Sequence, residues 1–261
     1  MKYLYVNGCS VAAGQELELT VGLEGRFASL TSKKLGLEEI NEAVPAGSND
    51  RIFRKIFSWI ANNQDKINET IFLIQWSGPN RMEVFQGNVN EYLNRPYKKQ
   101  RFGPDIVMWD RTTEGDFYDW AQKVKELKVY TEDGLVRGTN YWFNALNYLK
   151  ELTRGSVERT ARHIIALQNY FENNNLQYVM FHGFHLADPV TNLEQKALFE
   201  ADKELTALID HDNFLYFGEY EDLWSWSKKY YGLMPESHPN EAANEAFSDI
   251  LVEYITERGI I

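Results

Sequence analysis

The side chains of this chain best suited to nucleophilic chemistry on an ester are Ser10 and His238. Ser10 stands in "YVNGCSVAAG" (5–14), where an apolar run stops at Asn7-Gly8-Cys9-Ser10 and a second glycine follows at Gly14. A strand that ends in a small, glycine-flanked turn is one way to present a hydroxyl. His238 stands in "ESHPNEA" (236–242), just ahead of a helical pattern. Acyl transfer by a serine needs that hydroxyl, a histidine base, a group orienting the base, and N–H donors for the oxyanion. Glu236, two residues before His238, is the expected orienting carboxylate, with a backbone carbonyl as the alternative. The Ser10 and Gly47 N–H groups and the Asn80 amide are the expected oxyanion donors, with Ser77 or Asn49 as substitutes for Asn80. Asn49, Trp76, Ser77 and Arg81 are the expected substrate contacts.

Each of these residues also has an ordinary reading. A serine after a strand caps a helix or turns a corner, and a glycine such as Gly47 permits a positive φ. Ser237 or Asn240 can cap the helix that follows, and Arg81 can pair with Glu83 on the surface. What joins them is the order of the elements that must carry them. "KYLYV" (2–6), "ETIFLIQWS" (69–77), "QYVMFHGF" (177–184) and "NFLYFG" (213–218) read as strands, and "EEINEAVPAGSND" (38–50) as a short strand ending in a Pro-Ala-Gly-Ser-Asn turn. Helical spacing of apolar residues marks 24–37, 51–64, 157–175, 192–209 and 240–259, the second capped by Asn49 or Asp50. Strands alternating with helices predict an α/β chain with a parallel sheet, whose strand ends carry the active residues. Ser10, the Gly47 turn and the 76–81 segment follow three such ends, and the 236–239 segment precedes the last helix.

Residues from about 84 to 150 break the alternation and are rich in Tyr, Trp, Asn and Arg. They read as an insertion, helical over 118–130, within a single domain spanning 1–261. Its Tyr92, Tyr97, Trp109, Trp120, Tyr141 and Trp142 suit a lid or wall over the strand ends, or a small core of the insertion's own.

Bulk properties narrow the class. The chain has 261 residues, a formal net charge of -11 and a single cysteine, Cys9. The acidity disfavours a nucleic-acid groove, which needs a basic face. One cysteine excludes an intrachain disulfide and a Cys-rich metal site. No signal-peptide pattern or membrane-length apolar run is present, so a soluble, cytoplasmic protein is expected.

On these residues the chain resembles the SGNH (GDSL-like) hydrolase family, which places Ser, Gly, Asn and His in successive blocks. "YVNGCSVAAG" is similar to the first block, "NEAVPAGSND" (41–50) to the second, "LIQWSGPNRME" (73–83) to the third and "ESHPNEAANEAF" (236–247) to the one holding the histidine. The pattern G-C-S, W-S…R, H-P resembles a divergent branch found in phage and bacterial genomes. The resemblance implies a three-layer α/β/α sandwich with a flavodoxin-like, five-stranded parallel sheet. It also implies a serine esterase with no cofactor, acting on a small-molecule or glycan ester, with an O-acetylated glycan favoured. Virion association is implied if the chain is phage-encoded. Three positions depart from the family. Cys9 replaces the Asp of Gly-Asp-Ser, Trp76 stands at the third block's glycine, and Pro235 stands where the family has an Asp three residues before its histidine.

Other readings stay open. Cys9 could itself be the nucleophile, and His182 and His185 could ligate a metal with Asp188. A module that keeps the fold without catalysis is the reading from a different class.

Overall fold

The computed structural model describes residues 1–45, 47–78, 82–85, 105–108, 129–131, 134–136, 153–183, 203–217 and 222–261. The chain opens with β1 (Tyr3–Asn7) and a single helical turn, α1 (Ser10–Ala13). Two 3₁₀ turns lead into α2 (Phe27–Leu35), which is followed by β2 (Glu38–Asn41). Next come α3 (Asn49–Asn62) and β3 (Thr70–Trp76). Within the expected insertion and at its edge, Met82–Phe85 pairs antiparallel with Asp105–Met108, and Val129–Thr131 with Gly134–Val136. Residues 129–130, expected to close a helix, therefore lie in a strand; the rest of 118–130 is outside the described residues. The chain continues with α4 (Thr153–Asn173), β4 (Gln177–His182), α5 (Leu223–Tyr230) and α6 (Glu241–Glu257).

The strands form one parallel sheet in the order β2-β1-β3-β4. Among the described residues it has four strands, where the sequence predicts five. The fifth segment joins only through a bridge, Phe214 to Met180, with Leu215 N–H donating to the Met180 carbonyl at 2.7 Å. Of the helix expected over 192–209, residues 203–209 are described, and they hold one helical turn, Lys203–Thr206, followed by a non-helical turn. The helix α5 has no counterpart in the sequence reading; the Asp222 side chain caps it by accepting the Ser225 N–H at 2.7 Å.

A parallel strand buried on both faces reads as a continuous apolar run, and β3 is buried at all seven positions. Side chains then alternate between two cores. Leu4, Val6, Ile71, Leu73, Val179 and Phe181 pack with Phe27 of α2 and Phe247 and Leu251 of α6. Tyr5, Phe72, Ile74 and Met180 pack with Ile52 and Ile56 of α3 and Ile164 and Leu167 of α4. Much of the aromatic excess serves these cores: Phe27, Phe181 and Phe247 form a triangle with centroids 4.9 to 5.8 Å apart. Among the described residues, no helix is long and apolar enough to cross a membrane.

Candidate active site

All four strands run the same way, so their carboxyl ends share one edge. There β1 passes through Gly8 and Cys9 into Ser10, the first residue of α1. The turn is held from β3 by Gln75, a buried amide in an otherwise apolar run. Its Oε1 accepts the Cys9 N–H at 3.3 Å and the Ala12 N–H at 2.9 Å, and its Nε2 donates to Cys9 Sγ at 2.9 Å. Asn7 Oδ1 accepts the Gly8 N–H at 2.9 Å. Ser10 and Val11 open α1, so their N–H groups have no acceptor within the helix. Ser10 is itself buried, and its Oγ lies 4.0 Å from Cys9 Sγ.

Gly47 brings the second segment against this turn. A Cβ at Gly47 would stand 2.6 Å from the Gly8 carbonyl oxygen, so only glycine fits. Its N–H does not point at an open site, because it donates to the Val44 carbonyl at 3.0 Å. The expected oxyanion role of this N–H is therefore at odds with the turn it closes.

The carboxylate beside His238 is Glu16, not Glu236. His238 Nδ1 lies 2.7 Å from Glu16 Oε2, which also accepts the His238 backbone N–H at 3.1 Å. Glu16 Oε1 accepts the Glu236 backbone N–H at 2.8 Å. Glu236 thus contributes its main chain, while its side chain is exposed. Glu16 is buried, which by itself raises its carboxyl. The Glu236 N–H, the His238 ring and the His238 N–H outweigh burial and hold it below its ordinary value. A carboxylate only accepts, so Nδ1 of His238 carries the proton of this bond, and in the neutral ring Nε2 is then the acceptor.

The loop bearing His238 is fixed from several sides. Met234 N–H donates to the His238 carbonyl at 2.8 Å, and Trp224 Nε1 donates to the Ser237 carbonyl at 2.7 Å. Asn240 caps α6 by accepting the Ala243 N–H at 3.0 Å. Asn244 donates to the Pro239 carbonyl at 3.1 Å and accepts the Phe27 N–H at 3.0 Å, which ties this loop to the start of α2.

The remaining expected residues divide. Asn49 is spent on structure: its amide donates to the Ser77 carbonyl at 2.9 Å and to Thr160 Oγ1 at 3.1 Å, and accepts the Ser77 N–H at 2.8 Å. It is the first residue of α3, and Ser48 is the cap, accepting the Arg51 N–H at 3.2 Å. Ser77 is placed at the site edge by this clamp and is buried. Trp76 is fully buried in the core with its Nε1 donating to Met180 Sδ at 3.4 Å, so it does not face a substrate. Asn80 and Arg81 lie outside the described residues. Cys9 points into the core. His182 packs on Phe214 at 4.9 Å between centroids, and His185 and Asp188 are outside the described residues. Among the described residues, no cluster of three His, Cys, Asp or Glu could hold a metal.

Sequence reasoning missed Glu16 and Gln75. Gln75 had a signal, a lone amide at the end of "IFLIQ". Glu16 had none, since its partner lies 222 residues along the chain.

No curated protein matches the chain. Among solved structures it is similar to the psychrotrophic esterase EstA from Pseudoalteromonas sp., at 11% identity over 100% of each chain with a TM-score of 0.49. It is also similar to TesA, at 11% identity over 98% of this chain and 97% of that one, TM-score 0.49. A third is the lipase/acylhydrolase from Enterococcus faecalis, at 12% identity over 99% and 97%, TM-score 0.44. The family model that matches, over residues 24–261, includes His238 and begins after Ser10 and Glu16. By that match, the chain belongs to a family of unknown function, DUF6071.

Proposed function

We propose that the protein is a serine esterase that hydrolyses a carboxylic ester through an acyl-enzyme on Ser10. The observation that supports this reading is the Glu16–His238 hydrogen bond of 2.7 Å. Glu16 follows Ser10 by six residues in the loop that leaves β1, so the bond draws the imidazole to the segment that presents the hydroxyl. His238 Nε2 takes the Ser10 proton as Oγ attacks the ester carbonyl, and the Ser10 N–H at the start of α1 donates to the oxyanion. The proton passes to the leaving alcohol as its C–O bond breaks. Water, deprotonated by the same nitrogen, then attacks the acyl carbon; the bond to Oγ breaks, the proton returns from Nε2 to Oγ, and the carboxylic acid leaves. Asn80 is proposed as a further oxyanion donor, and Ser77 and Arg81 as contacts to the ester.

The finer reading is a three-layer sandwich whose 213–217 segment serves as a fifth strand, with the insertion at about 84–150 forming a lid or wall. Its Tyr92, Tyr97, Trp109, Trp120, Tyr141 and Trp142, outside the described residues, suit the sugar of an O-acetylated glycan, the favoured substrate. No cofactor takes part. A binding or structural module on the same fold is the second reading. The engaged Gly47 N–H and the Ser10 Oγ, 4.0 Å from Cys9 Sγ, favour it. Turnover of p-nitrophenyl acetate separates the two. The esterase reading expects hydrolysis by the wild type and by Cys9→Ala, and none by Ser10→Ala. Equal background rates for wild type and Ser10→Ala would support the module.

A further inference from the structure

We infer that Glu16 is the positioning residue for His238, holding the Nδ1–H tautomer that leaves Nε2 free to accept the Ser10 proton, a role that rests on the esterase reading above. The acid therefore comes from the nucleophile's own loop and not from the neighbourhood of the histidine.

Three observations carry this. First, the two oxygens of one buried carboxylate accept three N–H groups from the 236–238 segment: Glu236 N at 2.8 Å, His238 N at 3.1 Å and His238 Nδ1 at 2.7 Å. The backbone pair fixes where the carboxylate stands, and the ring is then set against it in one orientation. Second, the pair is dry. The side chains of His238 and Glu16 are 11% and 5% exposed, so the proton on Nδ1 has little access to competing water. Third, both loops hold strained backbone at this contact. Among the described residues, Glu16 at φ 72°, Asn175 and Ser237 at φ 71° are the non-glycine residues with positive φ. Two of the three belong to the segments that make the bond. Left-handed backbone is unfavourable for residues that carry a Cβ and persists where the surroundings impose it.

A purely structural clamp between the 14–16 and 236–238 segments would give the same distances, so the test must read the imidazole itself. Glu16→Gln can keep an acceptor for Nδ1, its amide oxygen taking the place of Oε2, which faces both the His238 N–H and Nδ1. Glu16→Ala leaves no side-chain acceptor there, so the Nδ1–H tautomer loses its partner. The experiment records two-bond ¹⁵N–¹H correlations of His238 and p-nitrophenyl acetate kinetics for wild type, Glu16→Ala, Glu16→Asp and Glu236→Gln. The expected result has Nδ1–H in wild type and a shift to Nε2–H in Glu16→Ala. The expected kcat loss in Glu16→Ala approaches the ~10⁴-fold seen when a triad loses its orienting acid, with KM unchanged. Glu16→Asp regains part of kcat, and Glu236→Gln behaves as wild type. Wild-type kcat in a folded Glu16→Ala, or an unchanged tautomer, overturns the inference while a dead Ser10→Ala still upholds the esterase. If Glu16→Ala does not fold, the wild type alone decides: His238 protonated on Nε2 overturns it. Absence of turnover in the wild type would sink the esterase reading, and the tautomer comparison would still decide whether Glu16 sets the ring.

Discussion

Gln75 of β3 holds the turn that presents Ser10, its Oε1 accepting the N–H of Cys9 at 3.3 Å and that of Ala12 at 2.9 Å. A side chain of the neighbouring central strand therefore does for this turn what a backbone ladder does for a strand. Gln75→Leu keeps the volume and removes the acceptor. Two buried donors, each costing about 1–3 kcal/mol when unpaired, should lower stability by about 2–6 kcal/mol in urea unfolding. Esterase kcat should fall further than a remote substitution of equal stability cost, because the turn carries Ser10, the proposed nucleophile.

The contact of Gly47 with Gly8 gives a second test. A methyl at 47 would stand 2.6 Å from the Gly8 carbonyl oxygen, closer than any real Cβ contact, and both partners are backbone. Gly47→Ala should lower the urea midpoint and the kcat together, with the turn around Ser10 displaced. A variant with normal kcat would show that the two segments can separate without moving Ser10.

The lowered Glu16 carboxyl makes a prediction about acid. Its folded value lies below the ordinary 4.5, so the bound carboxylate contributes its full stability above that value. The contribution is lost as pH falls through the lower folded value. Urea midpoints for wild type and Glu16→Gln, measured from about pH 7 to about pH 3, should show a gap that holds at neutral pH and closes below the ordinary carboxylate range. A gap that stays constant to pH 3 would mean that the carboxylate charge is not what the 236–238 segment binds.

These residues also show where the sequence was legible. The strands β1 and β3 could be read because burial on both faces leaves an unbroken apolar run, and the helices α2, α3, α4 and α6 because their apolar spacing repeats. Trp76 was misread from its place at the strand end, although the alternation already assigned it: Phe72, Ile74 and Trp76 share one face of β3 and one core. Asn49 looked available because sequence does not show that Ser77 takes both its oxygen and its NH2. The 213–217 segment has strand-like residues, but an edge joined by one bridge leaves only a weak ladder. Glu16 was invisible for a different reason. A side chain becomes an orienting acid through a contact made by the two ends of the chain, and no local pattern records it. Pro235 in place of the family's Asp pointed to Glu236, two residues before His238, which gives Glu16 only its backbone N–H.

The most direct test of the account is to find which atom becomes acylated or phosphonylated. Purified protein is treated with a fluorophosphonate, digested, and the modified peptide is sequenced by mass spectrometry. The account predicts a single adduct on Ser10, absent from Ser10→Ala and retained in Cys9→Ala. It also predicts labelling slowed severalfold or more in His238→Ala, where the base is gone. An adduct on Cys9 or on any other residue, or no adduct on a folded wild-type chain, would contradict it.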